Sequence, residues 1–221
     1  SILFENDIDI AIFAEYVSGA ISKTAIQSGY VRHDGKGGCD KITLLAKKGV
    51  SVVVCREQDR YTIYDCRCDN KEYIIAGVHQ YDTISDPQGL SRLIRSVSLI
   101  TDIEDEEKRK KHDQTIIIGD FNDNPFDNSL IAKEGLNAVL FHSIISESET
   151  YVYKEKKRKR LYNPILQLLR DEDHCRGSIY FSGGGNPLYW NCFDQVLFRK
   201  SMMRSFEEMK YCSATKNTHL I

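Results

Sequence analysis

The 221-residue sequence has no apolar run of eighteen residues or more, so no stretch reads as a membrane-spanning helix. Its first ten residues, SILFENDIDI, carry acids where a secretory leader would carry a basic region. An excess of one charge is also lacking: 30 lysines and arginines meet 32 acids, for a formal net charge of −2 and a pI near 6.3. That excludes a chain which holds nucleic acid by overall charge, and any polyanion has to be met by a local patch. The seven cysteines, Cys39, Cys55, Cys66, Cys68, Cys175, Cys192 and Cys212, form no C-x-x-C pair of the kind a zinc ribbon uses. Several lie in strand-like runs such as SVVVCR and YDCRC, where a free thiol behaves as a small core residue. They predict a soluble protein of a reducing compartment, cytoplasmic or otherwise intracellular. The FSGGGNP stretch at 181–187 is followed by no Lys-Ser/Thr pair, so it reads as a turn and not as a phosphate-binding loop.

What is present is an ordinary globular composition, 41% hydrophobic and 28% charged, long enough to bury a sizeable core. No repeat or low-complexity linker divides it, which predicts a single domain over residues 1–221. Strand-length apolar runs rich in Ile, Val and Tyr recur at 8–15, 42–55, 61–68, 72–79, 115–120, 178–182 and 194–199. Between Val78 and Thr115, Leu90, Leu93, Ile94, Val97, Ile100 and Ile103 stand at helical spacing and predict a helix with that face inward. Strand, helix and strand in that order make a parallel crossover, while hairpins over 42–79 add antiparallel pairing, so the class is mixed α/β. The run Lys154 to Arg160 holds six cations and one acid, and reads either as a solvated loop or as a phosphate-gripping one.

The chemistry concentrates in TIIIGDFNDNPF, residues 115–126. A greasy strand that closes on Gly-Asp-x-Asn serves as a rigid mount. Gly119 permits an unusual turn, and alternation along an extended chain would put Asp120 and Asn122 on one face. A carboxylate offers charge and hard oxygen to a Mg²⁺-type ion, and an amide can orient a nucleophilic water. Asp123, Asn124 and Asp127 read as turn and helix-cap residues.

IIIGDFNDNP resembles the Gly-Asp-Phe-Asn signature of the endonuclease/exonuclease/phosphatase superfamily, the deoxyribonuclease-like metal-dependent phosphoesterases. Companion stretches follow the family's order. DIDIAIFAEY resembles its second strand, which ends in a metal-binding glutamate, here Glu15; IIAGVHQYD resembles the strand ending in a histidine, here His79. YWNCFDQVLF resembles the strand whose acid polarises the catalytic histidine, here Asp194, and the family's terminal Ser-Asp-His has its nearest counterpart in NTHLI, at His219. Two features depart from the pattern: Thr218 stands where the family has aspartate, and the asparagine-bearing first strand has no counterpart, the match beginning at the second strand.

The resemblance implies a four-layer α/β sandwich, two packed mixed β-sheets flanked by helices, and hydrolysis of a phosphodiester by in-line water attack. Glu15 and Asp120 would hold Mg²⁺, with Mn²⁺ able to substitute; Asp120 and Asn122 would position the water; His219, oriented by Asp194, and His79 would face the phosphate. The expected substrate is nucleic acid, cut as by an endonuclease or exonuclease, with the basic run able to approach a backbone beside the active-site edge; Tyr151, Tyr153, Tyr162, Tyr189 and Trp190 read either as rings that stack on bases or, equally well, as core or rim residues. A phospholipid or inositol-phosphate phosphoesterase is the alternative. An inactive domain kept as a binding scaffold is the reading from a different class.

Overall fold

A computed structural model describes residues 3, 6–15, 26, 29–169, 176–181 and 189–210. Its first sheet collects β1 (Ile10–Ala14), β2 (Tyr30–Asp34) and β3 (Ile42–Lys47) in the order β1-β3-β2, all antiparallel. β3 is central and buried along nearly its whole length, as its unbroken ITLLA run requires. The second sheet has seven strands in the order β4-β5-β6-β7-β14-β11-β8. Its strands are β4 (Ser51–Gln58), β5 (Tyr61–Cys68), β6 (Lys71–His79), β7 (Thr115–Asp120), β8 (Ala138–Val139), β11 (Leu161–Tyr162) and β14 (Asp194–Phe198). β6 and β7 run parallel, joined through helix α1 (Leu90–Lys110), and most other pairs are antiparallel, so this sheet is mixed. The small sheet, by contrast, is purely antiparallel among the described residues.

The 42–55 run is not a hairpin. β3 and β4 belong to different sheets, and the chain crosses between them at Lys48-Gly49-Val50, with Gly49 at φ 104°. The two sheets meet over Ile42, Leu44, Ala46, Tyr64, Cys66 and Ile75, with Ile10 and Ile12 packed alongside. They approach so closely that a Cβ on Gly77 would stand 2.6 Å from Ile42 Cγ2. Cys39, Cys55, Cys66 and Cys68 are free thiols, and Cys39, Cys66 and Cys192 are buried as small apolar residues.

On the opposite face of the large sheet, Leu99, Ile100 and Ile103 of α1 pack against Tyr61, Ile74, Ala76 and Ile117. Burial of each such side chain contributes roughly 1.5–3 kcal/mol. The helix is rotated from the face its apolar spacing predicts: Leu90 and Ile94 are more than half exposed, whereas Arg92, Ser96 and Glu106 are buried. Ion pairs make that possible, Arg92 Nε lying 2.9 Å from Asp123 Oδ1 and Arg56 Nε 2.9 Å from Glu106 Oε1. Lys108, Arg109 and Lys110 in the last turn suit the negative end of the helix, which stops at Lys111 in a left-handed conformation. No described helix is long and apolar enough to cross a membrane.

Short elements complete the chain: α2 (Asn128–Ile131), α3 (His142–Glu147), the hairpin β9 (Thr150–Tyr153) and β10 (Lys156–Lys159), α4 (Ile165–Leu168), and the pair β12 (Ile179–Tyr180) and β13 (Trp190–Asn191).

Candidate active site

The register of three neighbouring strands builds the site. His79 is opposite Asp120 in the parallel pair β6–β7, and Asp194 is opposite Asp120 in the antiparallel pair β7–β14. Residues opposite one another carry their side chains to one face, so an imidazole and two carboxylates form a row across the sheet. His79 Nε2 stands 3.9 Å from Asp120 Oδ2. From the other sheet, β1 delivers Glu15 just past its last residue, held at φ 53° with its N–H donating to Lys41 O at 2.8 Å. Glu15 Oε1 lies 3.5 Å from His79 Nε2, although the Glu15 side chain is 69% exposed.

Gly119 is what allows this convergence. Its φ is 148°, and a Cβ there would fall 2.0 Å from the Val78 carbonyl oxygen. Only a residue without a side chain lets β7 lie against β6 one step before the row. Phe121, next in the sequence, is fully buried, and its N–H donates to Phe193 O at 2.8 Å, anchoring the strand end against the approach to β14.

Asn122 does not share a face with Asp120 by alternation. The chain turns there, at φ 50°, so that the Asn122 N–H donates to Asp120 Oδ1 at 2.8 Å and its Nδ2 donates to Gln80 O at 3.2 Å. Asp123 is not a surface turn residue either, being buried against Arg92. Asn124 bridges to the approach to β14, donating through Nδ2 to Asn191 Oδ1 and accepting from Cys192 N–H, both at 2.9 Å. These structural roles of Asp123 and Asn124 had no signal in the sequence beyond their polar type, because their partners lie some 30 to 70 residues away. A cleft of about 580 Å³ opens beside the row, with Asn122, Asn124, Phe181, Phe193 and the exposed Ile84 in its walls.

Burial pushes the Asp120 carboxyl above the ordinary aspartate range. The Asn122 N–H and His79 oppose that, while the negative charges of Asp194 and Glu15 reinforce it. His79 is 5% exposed, and its Nδ1 is buried with no hydrogen-bond partner among the described residues, as are both side-chain polar atoms of Gln80. Asp194 is exposed at the start of β14, its N–H donating to Ser178 Oγ at 3.1 Å. His219, its expected partner, lies outside the described residues, as do 182–188 of the glycine stretch.

Two expectations about substrate contacts fail. The run 154–160 is neither a loop nor beside this edge: it forms β10 and its turn, with Lys159 paired to Asp113 just ahead of β7, at the opposite end of that strand from Asp120. Tyr151 and Tyr162 are buried, the Tyr151 hydroxyl donating to Lys133 O at 2.9 Å, so neither can stack on a base.

No family model and no curated protein matches the sequence. Solved structures do match its fold. The human Nocturnin catalytic domain with bound sulfate anion aligns at TM-score 0.55 and 13% identity, over 90% of this chain and 72% of that one. D. rerio TDP2 complexed with single strand DNA product aligns at TM-score 0.55 and 15% identity, over 90% and 73%. ANGEL2, a 2′,3′-cyclic phosphatase, aligns at TM-score 0.57 and 12% identity, over 90% and 71%. The chain has the endonuclease/exonuclease/phosphatase fold.

Members of that superfamily generally depend on a divalent metal. The donor set here fits one. Glu15 and Asp120 are hard oxygen donors, and the like charges that raise the Asp120 carboxyl are what a cation between them would relieve. Among the described residues no group of three or more His, Cys, Asp or Glu side chains forms a ready cage. Mg²⁺ requires none, since it is commonly held by one or two carboxylates and keeps several waters.

Proposed function

We propose that the chain is a Mg²⁺-dependent phosphodiester hydrolase of the nuclease type, with Mn²⁺ able to replace Mg²⁺. The observation that carries this reading is the His79–Asp120–Asp194 row with Glu15 converging on it from the second sheet. It is supported by the fold-mates, among them TDP2 with a single-stranded DNA product and ANGEL2 in complex with adenosine-2′,3′-vanadate.

Glu15 and Asp120 would hold the metal, which when bound supplies Lewis-acid stabilisation of the charge on phosphate oxygens. The remaining work belongs to side chains. The Asn122 N–H holds Asp120 Oδ1 in place, so the carboxylate is pre-oriented to accept a proton from the attacking water. Asn122 is itself tied to Gln80 O, which keeps the loop closed over the end of β6. His79, buried, presents Nε2 towards the carboxylates, where it would donate to a phosphoryl oxygen. Asp194 keeps its place in the row to orient a second imidazole, for which His219 is the candidate.

The test is cleavage of end-labelled single- and double-stranded DNA and RNA with Mg²⁺, Mn²⁺ or EDTA, with Asp120→Ala in parallel. Metal-dependent cutting, reduced at least about a thousandfold in the variant, is expected. Cutting by Asp120→Ala at the wild-type rate would overturn the site. Hydrolysis of an inositol polyphosphate or a phospholipid in place of every nucleic acid would overturn the nuclease half and keep the hydrolase.

A further inference from the structure

The row gathers acid: Glu15, Asp120 and Asp194, with Asp127 following in the adjoining loop. A polyanion finds little Coulombic hold at that edge. The opposite end of the same sheet has the charge that edge lacks. There a groove of about 940 Å³ runs between the C-terminal half of α1 and the β9–β10 hairpin, with eight lysines and arginines against four carboxylates in its walls.

The pairing within the groove is uneven, and that is informative. Arg158 Nε donates to Glu104 Oε1 at 2.9 Å, Lys159 pairs with Asp113, and Arg199 bonds both oxygens of Glu107, at 2.8 and 3.1 Å. Arg158 thereby fastens the hairpin to the helix and Lys159 ties it to the segment ahead of β7, while Arg199 links Glu107 of the helix to the Lys159 carbonyl; together the pairs neutralise most of the local acid. Lys111, Lys154, Lys156 and Lys157 are exposed and have no carboxylate within 4.0 Å among the described residues. The hairpin is built to a fixed shape, its two-residue turn holding Lys154 and Glu155 at φ 46° and 65°. Tyr153 is opposite Lys156 in the ladder and has Lys154 Nζ 5.3 Å from its ring centre, which puts a half-buried aromatic ring among the cations.

We propose that this groove is a second nucleic-acid site, which holds a single-stranded phosphodiester backbone on Lys111, Lys154, Lys156 and Lys157 with a base stacked on Tyr153. Cations that follow a backbone with an aromatic ring between them are the chemistry of sequence-tolerant single-strand binding. The six residues of β7 separate the groove from the catalytic row by roughly 17 Å, so one strand can reach both only if it is several nucleotides long. The site stands apart from the catalytic reading, because its binding is measured without turnover.

The experiment titrates a fluorescein-labelled oligo(dT) 20-mer with the full chain carrying Asp120→Asn, in EDTA, and follows anisotropy from 50 to 200 mM KCl. Replacing Lys154, Lys156 and Lys157 together by serine is expected to weaken binding about tenfold or more at 100 mM KCl. The slope of log K against log salt should become shallower by about 2, three contacts at roughly 0.7 each. The Lys→Arg triple variant should keep both affinity and slope, and Tyr153→Leu should lose affinity at unchanged slope. Circular dichroism checks that each variant is folded. Unchanged affinity and slope in the serine variant would overturn the proposal. So would failure of the Asp120→Asn chain to bind the oligonucleotide, or its capture by phosphatidylserine vesicles in preference to it. A chain that binds here yet cleaves nothing would overturn the proposed catalysis alone.

Discussion

Replacing Gly119 by alanine tests whether the site depends on the close contact of β6 and β7. The new Cβ would fall 2.0 Å from Val78 O and 2.9 Å from Val78 N and C, far inside the 3.4 Å at which ordinary contacts begin, and φ would stay at 148°. Holding an L-residue in that region costs about 1–3 kcal/mol. Relieving the clash parts the strands locally and gives up one or two ladder hydrogen bonds, at about 1 kcal/mol each. The expected loss is therefore roughly 2–5 kcal/mol, which for a chain of this size lowers Tm by roughly 5–20 °C. Gly49→Ala is the matched control: φ is 104° but nothing lies within 4 Å of the added Cβ, so only the conformational cost applies, about 1–2 kcal/mol. Urea unfolding followed by circular dichroism measures both. At a temperature where Gly119→Ala is still folded, a shift of Asp120 by about 1 Å should cost on the order of a hundredfold in turnover. A Gly119→Ala protein no less stable than Gly49→Ala would refute the argument that close backbone approach positions the row.

Two further expectations follow from charge. In the metal-free chain, burial together with the charges of Asp194 and Glu15 holds the Asp120 carboxyl high, so an NMR titration in EDTA should find it protonating at a higher pH than an ordinary aspartate. Asp194→Asn removes one of those charges and should move that midpoint to lower pH; an unmoved midpoint would show that Asp194 does not act on Asp120. Arg199 is fully buried, paired with Glu107 and donating to Lys159 O at 2.7 Å, so Arg199→Ala leaves a largely buried carboxylate with no countercharge and only the Thr115 hydroxyl as partner, and should cost about 3–5 kcal/mol in urea unfolding. A loss below about 1 kcal/mol would show that water replaces the guanidinium freely.

Legibility in the sequence followed the range of the interactions. β5, β6, β7 and β14 were readable as apolar runs, because a buried strand must be apolar along its own length, and the crossover helix was readable from its period. Asp120 stood out as the acid closing an apolar run and Glu15, His79 and Asp194 through the resemblance, and the fold brings all four to one end of the sheets. The face α1 buries was misjudged, since Arg92 and Glu106 are taken inside by partners at Asp123 and Arg56, which no helical period can reveal. The route by which Asn122 comes beside Asp120 was misjudged, because alternation holds only while the chain is extended, and here it turns.

By itself, then, the sequence determined the strand-forming segments, the mixed α/β class and the polar residues at the strand ends, since each of these depends on neighbours a few positions apart. Only the tertiary structure decided that β3 and β4 part into different sheets, that Asp123 goes inside, and that the cations of residues 154–160 face away from the catalytic row. Those outcomes depend on which distant segments meet, and strand register and ion pairing across tens of residues leave no local pattern to read.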